Sequence, residues 1–451
     1  MRRRILLIVL GLLAVAVAGA GWYYKHEKRT RRVYGTSTQE FVTTDAPEDR
    51  KPPPKRVVNR EPWPIYGYDA TRSHASPYAH RPPYRRLWTV RLGNHLEFPP
   101  VVAYRRLFVS QAHARFFTID ARTGRVIWQK HFLDSCSAAS PAVGHGVVYQ
   151  PYLPRPCNYG DRSKRGFIVA MRVRGGKQLW RFRVSSESSP LLIGRTLYFG
   201  AWDHKLYALD VRTRKVRWTF AADAELNSSP AYSSGTIYIG SDGGTLFAVN
   251  SKTGRLRWSA HSFSRFGRRE YFYATPTVAY GRVYVGNTDG TMYAYGATTG
   301  HLLWAQPAGT YVYTAAAVWR RRLFVGSYDG NVYAFDAATG RRRWTYSAPG
   351  SIHGAPTVMA GLVYFSTCGR CGSHGSRYAK QGPRLTFALD ARTGKRVWTF
   401  GDGHYSPIIA DGDRVYLTGH TREYGLVPVK ESKKHAAREK HRRAARSRRS
   451  S

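Results

Sequence analysis

Residues 323–344 have the sequence LFVGSYDGNVYAFDAATGRRRW, and this stretch decides the fold. Two runs of apolar, β-branched and aromatic residues flank Asp329 and Gly330, a pair that supplies the positive φ of a tight hairpin. A second turn follows at residues 336–340, where Asp and Thr side chains can bind local backbone N–H groups and the closing Gly can be left-handed. A further strand then carries Trp344 into the packing. The stretch therefore predicts three antiparallel strands joined by two tight turns.

The same unit recurs along the chain, and each copy ends in a tryptophan. Successive tryptophans are 38 to 54 residues apart, a spacing typical of four-stranded propeller blades. The eight are Trp88, Trp128, Trp180, Trp218, Trp258, Trp304, Trp344 and Trp398. A short strand before each unit, such as residues 275–278, completes the blade. A tryptophan at this period predicts packing between blades rather than a functional site.

Seven blades are complete in the sequence, and the eighth is predicted to combine both ends of the repeat region. Residues 406–409, 414–417 and 424–427 supply three of its strands, and residues 86–91 supply the last. Pairing the two ends within one blade closes the ring and leaves only short sheet edges. We therefore predict an all-β, eight-bladed propeller of four-stranded antiparallel blades over residues 62–430.

The repeat also carries a family resemblance. Its pattern A-x-D-x-x-T-G-x-x-x-W, complete at residues 334–344 and 388–398, resembles the tryptophan-docking repeat of eight-bladed pyrroloquinoline-quinone (PQQ) proteins. Residues 63–67, WPIYG, resemble the segment that precedes the first blade in that family. The family contains quinoprotein dehydrogenases and also non-enzymatic propellers such as the outer-membrane assembly factor lipoprotein. Because the motif reflects packing, the resemblance implies the fold and leaves the function open.

The N-terminus predicts attachment to a membrane. Residues 1–4 form a basic N-terminus, and residues 5–24 carry no charge, about the ~20 residues that cross a bilayer as a helix. We predict a single-pass signal-anchor in the cell membrane, with a cytoplasmic N-terminus and an extracytoplasmic propeller. Basic side chains in residues 25–32 weaken this orientation signal. Alternatively, residues 18–20, AGA, end a cleaved signal peptide.

Charge is the second strong feature of the chain. Residues 25–61 are predicted to be a charged, Pro-rich linker, and residues 431–451 a disordered basic tail. The formal net charge is +43, and residues 61–430 alone hold 49 basic against 21 acidic side chains. Nucleic acid is the usual partner of such charge, but an extracytoplasmic position argues against it. Anionic lipid or wall polymer fits better, and the alternative is arginine that merely coats strand surfaces.

The four cysteines are predicted to lie on one face of the propeller. An even number outside the cytoplasm favours disulfides, which we predict between Cys136 and Cys157 and between Cys368 and Cys371. The second pair has two alternatives. With His374 it has the ligand spacing of a zinc site, and the thiols could also be free or redox-active.

Alignment of the blades predicts a ligand-binding site at the mouth of the central channel. The positions that lie three residues before the start of each first strand should ring this mouth. The candidates are Glu97, Glu187, Asn227, Tyr273, Tyr313, His353 and His404. Blades 7, 8 and 1 are neighbours, so His353, His404 and Glu97 are candidates for binding a divalent metal or a small polar ligand. The alternative is a water-filled funnel without function.

No catalytic residue is predicted. The ring of candidates contains no Asp to act as a base, and the chain has no nucleophile elbow, phosphate-binding glycine loop or metalloprotease motif. The adjacent-cysteine disulfide of many quinoprotein alcohol dehydrogenases also has no counterpart. We therefore predict a non-enzymatic binding or scaffolding module that contacts other cell-envelope proteins and needs no cofactor. The alternative is a dehydrogenase of alcohols or sugars that depends on PQQ and calcium.

The charge surplus generates a first prediction. If charge drives attachment to anionic vesicles or wall polymer, affinity should fall at least about tenfold between about 0.1 M and 1 M salt. The reason is that the screening length shrinks from about 10 Å to about 3 Å over this range. Co-sedimentation across a salt series measures this, with uncharged vesicles as the control. Attachment that persists unchanged at high salt would show that charge is not its cause.

Overall fold

The computed structural model describes residues 2–42, 61–155, 165–265, 268–369, 371, 379–405 and 408–429. This part of the chain contains the helix Arg2–Thr30 and β-strands that form eight four-stranded antiparallel sheets. The predicted eight-bladed propeller is therefore confirmed.

The blades follow one another along the chain, each with its first strand innermost. Blades 1 and 2 consist of Val101–Ala103, Arg106–Ser110, Arg115–Asp120 and Val126–His131, and of Ala142–Gly144, Val147–Pro154, Phe167–Arg172 and Gln178–Arg183. Blades 3 and 4 consist of Leu191–Ile193, Thr196–Gly200, Lys205–Asp210 and Val216–Ala221, and of Ala231–Ser233, Thr236–Gly240, Thr245–Asn250 and Leu256–His261. Blades 5 and 6 consist of Thr277–Ala279, Arg282–Gly286, Thr291–Gly296 and Leu302–Pro307, and of Ala317–Trp319, Arg322–Gly326, Asn331–Asp336 and Arg342–Ser347.

The last two blades and the short additional strands complete the fold. Blade 7 consists of Thr357–Met359, Leu362–Ser366, Thr386–Asp390 and Arg396–Phe400, and blade 8 of Ile408–Ala410, Val415–Thr418, Arg422–Pro428 and Tyr84–Arg91. Ala75–Ser76 pairs with blade 7, Ser135–Cys136 pairs with blade 2, and Ser264–Arg265 forms a ribbon with Arg268–Arg269.

Blade 8 closes the ring as the sequence predicts. Tyr84–Arg91 pairs antiparallel with Arg422–Pro428, so a strand from before blade 1 completes the last sheet. Second strands are buried, and fourth strands are more exposed except in blade 5, where Leu302–Pro307 is largely buried. Every residue of Leu362–Ser366, a second strand, is buried, whereas the fourth strand Arg342–Ser347 alternates between exposed and half-buried residues. The apolar core therefore lies between neighbouring blades.

Tryptophan docking joins one blade to the next. The indole N–H of Trp304 in blade 5 donates to the carbonyl of Ala337 in blade 6 at 3.0 Å. The ring lies against Gly340, whose φ is +71° and where a Cβ would come within 2.7 Å of the indole. The same glycine contact recurs for the tryptophans of five other blades at Gly124, Gly176, Gly254, Gly300 and Gly394. The glycine of the repeat therefore meets two requirements: it adopts the left-handed conformation of the turn, and it leaves room for the neighbouring indole.

Blade 3 departs from this rule in an informative way. Arg214 occupies the position of the glycine and has a φ of 64°, a conformation that costs a side-chain-bearing residue about 1–2 kcal/mol. Trp180 of blade 2 faces this turn, and in the described part of the chain its indole N–H makes no docking hydrogen bond.

Residues 63–76, which we name the belt, line the inside of the ring. The belt runs around the inner strands, and its backbone carbonyls accept one N–H group from the first strand of each of six blades. Those donors are Val102, Val143, Tyr232, Val278, Val318 and Val358, at 2.7 to 3.0 Å. Within the belt, the carboxylate of Asp69 accepts the backbone N–H and the hydroxyl of Thr71 and of Ser73, which fixes the turn.

Arg72 of the belt lies against the segments that lead into blades 3 and 4. It is fully buried, and its guanidinium donates to the carbonyls of Tyr66, Ser189, Pro190 and Pro230. Burial lowers the pKa of Arg72 to about 10, so the side chain remains charged at neutral pH. These contacts connect the belt to blades 3 and 4. Among the described residues, the first strand of blade 3 makes no backbone hydrogen bond to the belt, so Arg72 supplies the connection there.

Residues 31–42, which we name the strap, lie against the propeller instead of forming a free part of the predicted 25–61 linker. Val33 exchanges two backbone hydrogen bonds of 2.9 Å with Ala305 in the fourth strand of blade 5. The buried Arg282 donates to the strap carbonyls of Thr36, Gln39 and Glu40. The strap thus covers the outer edge of blade 5 and its junction with blade 6.

The helix Arg2–Thr30 precedes the strap. In the described residues, none of the helical segments combines the length and the apolar character required of a membrane span.

Glycine at the docking turns generates a second prediction. Gly340→Ala should lower the free energy of unfolding by about 2–4 kcal/mol, because it adds both a left-handed side chain and a clash with Trp304. Arg214→Gly should raise it by about 0.5–1 kcal/mol, because it removes backbone strain at the equivalent position. Urea unfolding measures both. Shifts in the same direction would contradict this account of the motif.

Candidate functional site

A cavity lies in the central channel, between the belt and the loops that lead into the first strands. Its volume is about 690 Å³, counted together with the solvent at its mouth. Six of the seven predicted ligand-binding residues line it, namely Glu97, Glu187, Asn227, Tyr273, Tyr313 and His353. We call the side of the propeller on which it opens the cavity face. The alignment on first strands therefore placed residues from six blades at one site.

Two glutamates give the cavity an acidic wall. Glu187 is 8% exposed and accepts a hydrogen bond from the Tyr273 hydroxyl. Burial, together with the nearby Glu187 carboxylate, raises the pKa of Glu97 to about 8. Glu97 is therefore largely protonated at neutral pH and would ionise readily if a positive charge entered the cavity.

A hydrogen-bonded chain fixes the amide of Asn227 at the same wall. Its Oδ1 accepts the indole N–H of Trp202 at 2.9 Å, and its Nδ2 donates to the carboxylate of Asp242 at 2.8 Å. Burial raises the pKa of Asp242 to about 7, with a further contribution from Glu187. Three carboxyl groups thus lie close together at this side of a strongly basic protein.

Stacked rings form a further part of the cavity wall. Tyr273 stacks on Tyr313 with ring centroids 4.3 Å apart, and Tyr313 lies 4.5 Å from His353. His353 then stacks on Tyr405 at 4.0 Å. Its Nδ1 is hydrogen-bonded to the Tyr328 hydroxyl, and burial lowers the pKa of His353 to about 3, so the imidazole is neutral. The wall is aromatic and uncharged.

His404, the seventh predicted residue, lies beside the cavity rather than in its lining. Tyr405, the next residue in the chain, lines the cavity in its place, and His404 stacks on the outer side of that ring at 3.8 Å. His404 also approaches His420 and His95, at 4.6 and 6.1 Å between ring centroids. Burial lowers the pKa of His404 to about 2.

The predicted metal site does not form from these residues. Glu97 and His353 line the cavity, but His404 is separated from them by Tyr405. Across the described ranges, no group of three or more His, Cys, Asp or Glu side chains is arranged to hold a metal ion.

A disulfide supports the aromatic wall from behind. Cys368 and Cys371 are joined, and they pack with Tyr311, Tyr328 and Tyr405. His374, the third residue of the alternative zinc site, lies outside the described residues. Cys136 is also disulfide-bonded, and its predicted partner Cys157 lies outside the described residues as well.

Alignment of the blades did not identify the cavity residues that come from the belt. Trp63, Tyr66, Gly67 and His74 form the floor of the cavity. The belt does not repeat, so alignment of the blades cannot place it. Composition could have identified the belt, because this aromatic and glycine-containing segment precedes the first blade and belongs to no blade.

The family assignment rests on most of the propeller. The model of a family described as outer membrane protein assembly factor BamB matches residues 82–218, 203–317 and 311–423. The chain belongs to this family. Its repeats are those of the PQQ-like propellers, as the resemblance implied. No curated protein sequence matches the chain.

Solved structures from both branches of these propellers are similar to this one. BamB from Moraxella catarrhalis is 15% identical, with a TM-score of 0.61 over 76% of this chain and 99% of its own. A europium-containing methanol dehydrogenase is 13% identical, with a TM-score of 0.66 over 82% and 98%. A quinohemoprotein alcohol dehydrogenase from Comamonas testosteroni is 13% identical, with a TM-score of 0.63 over 83% and 82%. Identities this low establish the fold and leave the function open.

The described lining of the cavity lacks groups that PQQ with calcium would need. The carboxylates of the quinone would need Arg or Lys partners, and the described lining contains neither, nor an Asp to act as a base. Glu97, Glu187 and Asn227 offer oxygen atoms, but Glu97 is held protonated and the amide of Asn227 is already bonded on both sides.

The pKa of Glu97 generates a third prediction. In the unfolded chain Glu97 loses its proton near its ordinary pKa of 4.5, whereas the folded protein keeps it up to about pH 8. The folded state binds more protons across that interval, so its stability should fall as the pH rises from about 4.5 to about 8. Glu97→Gln should remove this contribution and unfold at a higher temperature than the parent at pH 9, but not at pH 4.5.

Thermal unfolding across this pH range measures the effect. Asp413→Asn is the control, since it removes an acid whose side chain is 84% exposed. A parent and a Glu97→Gln variant with parallel pH profiles would contradict the assignment.

Proposed function

We propose that this protein is a non-enzymatic binding module of the cell envelope whose cavity face recognises a partner. The observation that carries the proposal is the composition of the cavity, which is lined by carboxyl groups and stacked rings and, among its described residues, lacks Arg and Lys. Such a lining is preformed for binding, but it offers no anchor for the anionic quinone of the enzymatic branch.

Membership of a family described as an assembly factor for outer membrane proteins supports a partner that is itself a protein. We further propose that the uncharged residues 5–24 anchor the chain in the cell membrane and that the propeller is extracytoplasmic. The disulfide between Cys368 and Cys371 supports an oxidising compartment. Anionic lipid or wall polymer remains a proposed second contact through the basic surface and tail.

The fourth prediction separates this function from the dehydrogenase. Titration of the full-length protein with PQQ in calcium buffer should give no saturable heat, and dye reduction with alcohols and sugars should stay at background. Saturable binding with turnover would overturn the proposal and make the protein an oxidoreductase.

The partner can be sought in the same experiment series. A photoreactive residue in place of Tyr271, which is 41% exposed on the cavity face, should crosslink to an envelope protein. The same residue in place of the exposed Lys252, in a turn at the opposite face, is the control. Equal crosslinking at both positions would argue against recognition by the cavity face.

A further inference from the structure

The two ends of the propeller differ in charge. The end opposite the cavity face is formed by the turns between first and second strands and between third and fourth strands, and we name it the turn face. We propose that the turn face docks onto the headgroups of an anionic phospholipid bilayer. This inference rests on the second contact of the proposed function, and it assigns that contact a surface and one partner.

The first argument is that basic residues are concentrated at the turn face. Its turns contain 17 Arg and Lys against two acids, Asp411 and Asp413, and four further Asp residues end the adjoining third strands. The segments that connect strands at the cavity face contain 11 Arg and Lys against 12 acids. Arginine that merely coated the molecule would be spread over both ends. The asymmetry therefore favours a role for the turn face itself.

The second and independent argument is the pattern at one turn position, two residues after the end of each third strand. In blades 1, 2, 3, 4 and 7 this position holds an exposed basic side chain. These residues are Arg122, Arg174, Arg212, Lys252 and Arg392. In blades 5 and 6 the same position holds Thr298 and Ala338, which are small and uncharged.

The strap lies against the two turns that lack the basic residue. In blade 5, the hydroxyl of Thr299 donates to Oε1 of Glu40 at 2.7 Å. In blade 6, the backbone N–H of Gly35 donates to the carbonyl of Thr339 at 3.1 Å. At this position, basic side chains thus occur where the turn face is open and are replaced where the chain itself covers it. A contact made by the open turns explains this exchange.

The arrangement of the charges fits a planar partner. Exposed Arg or Lys side chains lie in the turns of six of the eight blades, so they surround the axis instead of following one groove. A bilayer presents anionic headgroups over the whole area of such a face, and it attracts basic side chains within a screening length of about 8 Å. The chain also leaves blade 8 at this face, where Val429 bonds to Pro83, and the basic residues 431–451 follow.

A groove between blades 6 and 7 offers a site for a single headgroup on the same face. It is lined by Arg81, Arg320 and Arg392 together with Trp319, and its volume is about 1170 Å³ counted with the solvent at its mouth. Asp390 is the single acid among the described lining residues, and its carboxylate accepts the backbone N–H of Arg392. Guanidinium groups pair with phosphate oxygens in bidentate geometry, so the groove suits a phosphodiester.

Co-flotation of the full-length protein with vesicles tests the proposal. Vesicles of phosphatidylcholine with about one quarter phosphatidylglycerol should bind at least about tenfold more tightly than vesicles of phosphatidylcholine alone, because only the former carry net charge. Binding to the uncharged vesicles measures the contribution of the apolar residues 5–24. Equal affinity for the two kinds of vesicle would overturn the proposal.

Matched variants locate the docking surface. The turn variant combines Arg122→Gln, Arg212→Gln, Lys252→Gln and Arg392→Gln, and it should bind the anionic vesicles at least about tenfold more weakly. The rim variant removes the same number of charges from exposed positions of fourth strands, through Arg86→Gln, Arg183→Gln, Arg257→Gln and Arg396→Gln. Its affinity should change less than about twofold, because salt screens charges that do not face the bilayer. Equal losses in the two variants would overturn the proposal, since total charge alone would then explain binding.

Soluble polyphosphate distinguishes a bilayer from a linear polyanion such as a wall polymer. Polyphosphate binding that the turn variant loses, together with equal affinity for charged and uncharged vesicles, would assign the turn face to a linear polymer and overturn the proposal. Failure of the inference is distinct from failure of the proposed function. Vesicle binding that ignores lipid charge removes the docking surface alone, whereas PQQ binding with turnover removes the binding module. Crosslinking from position 271 should be unchanged in the turn variant, because that position lies on the cavity face.

Discussion

The structure depends on the way the belt joins the eight blades at their common axis. Each blade is a small sheet that contacts only its two neighbours, so the ring by itself has no element that spans it. The belt supplies that element through backbone bonds to six first strands, and Arg72 extends it to the carbonyls of Ser189 and Pro190 in blade 3. A single buried cation is stable here because four carbonyl groups and the nearby Asp69 surround it. The floor of the cavity is a direct result of this arrangement.

The sequence predicted the ring because the physical requirements of blade packing repeat with the blades. An indole needs a neighbouring position without a Cβ, and the turn that provides it needs a positive φ, so Trp and Thr-Gly recur together. Arg214 shows how far the pattern can degrade while the blade still forms. The closing strand was equally predictable from the sequence, because Tyr84–Arg91 carries the Trp of the repeat without the rest of a unit before it.

The cavity was only partly predictable, for a reason of register. Alignment on first strands locates residues such as Glu187 and His353 because each lies at a fixed distance from a repeated feature. It fails at blade 8, where Tyr405 rather than His404 lines the cavity, so the lining position is shifted by one residue there. It also cannot find His74, which belongs to the one segment around the axis that has no counterpart in the other blades.

The strap has a consequence for the orientation of the molecule. It contacts Tyr280, which lies in the turn between the first two strands of blade 5. Arg282, which donates to strap carbonyls, also donates to Ala338 in the turn between the last two strands of blade 6. In an antiparallel blade these turns lie at the end opposite the cavity face. The helix ends at Thr30, and the strap is already paired at Val33. A protein held at a membrane by this helix would therefore turn the face opposite the cavity to the bilayer and present its cavity outward.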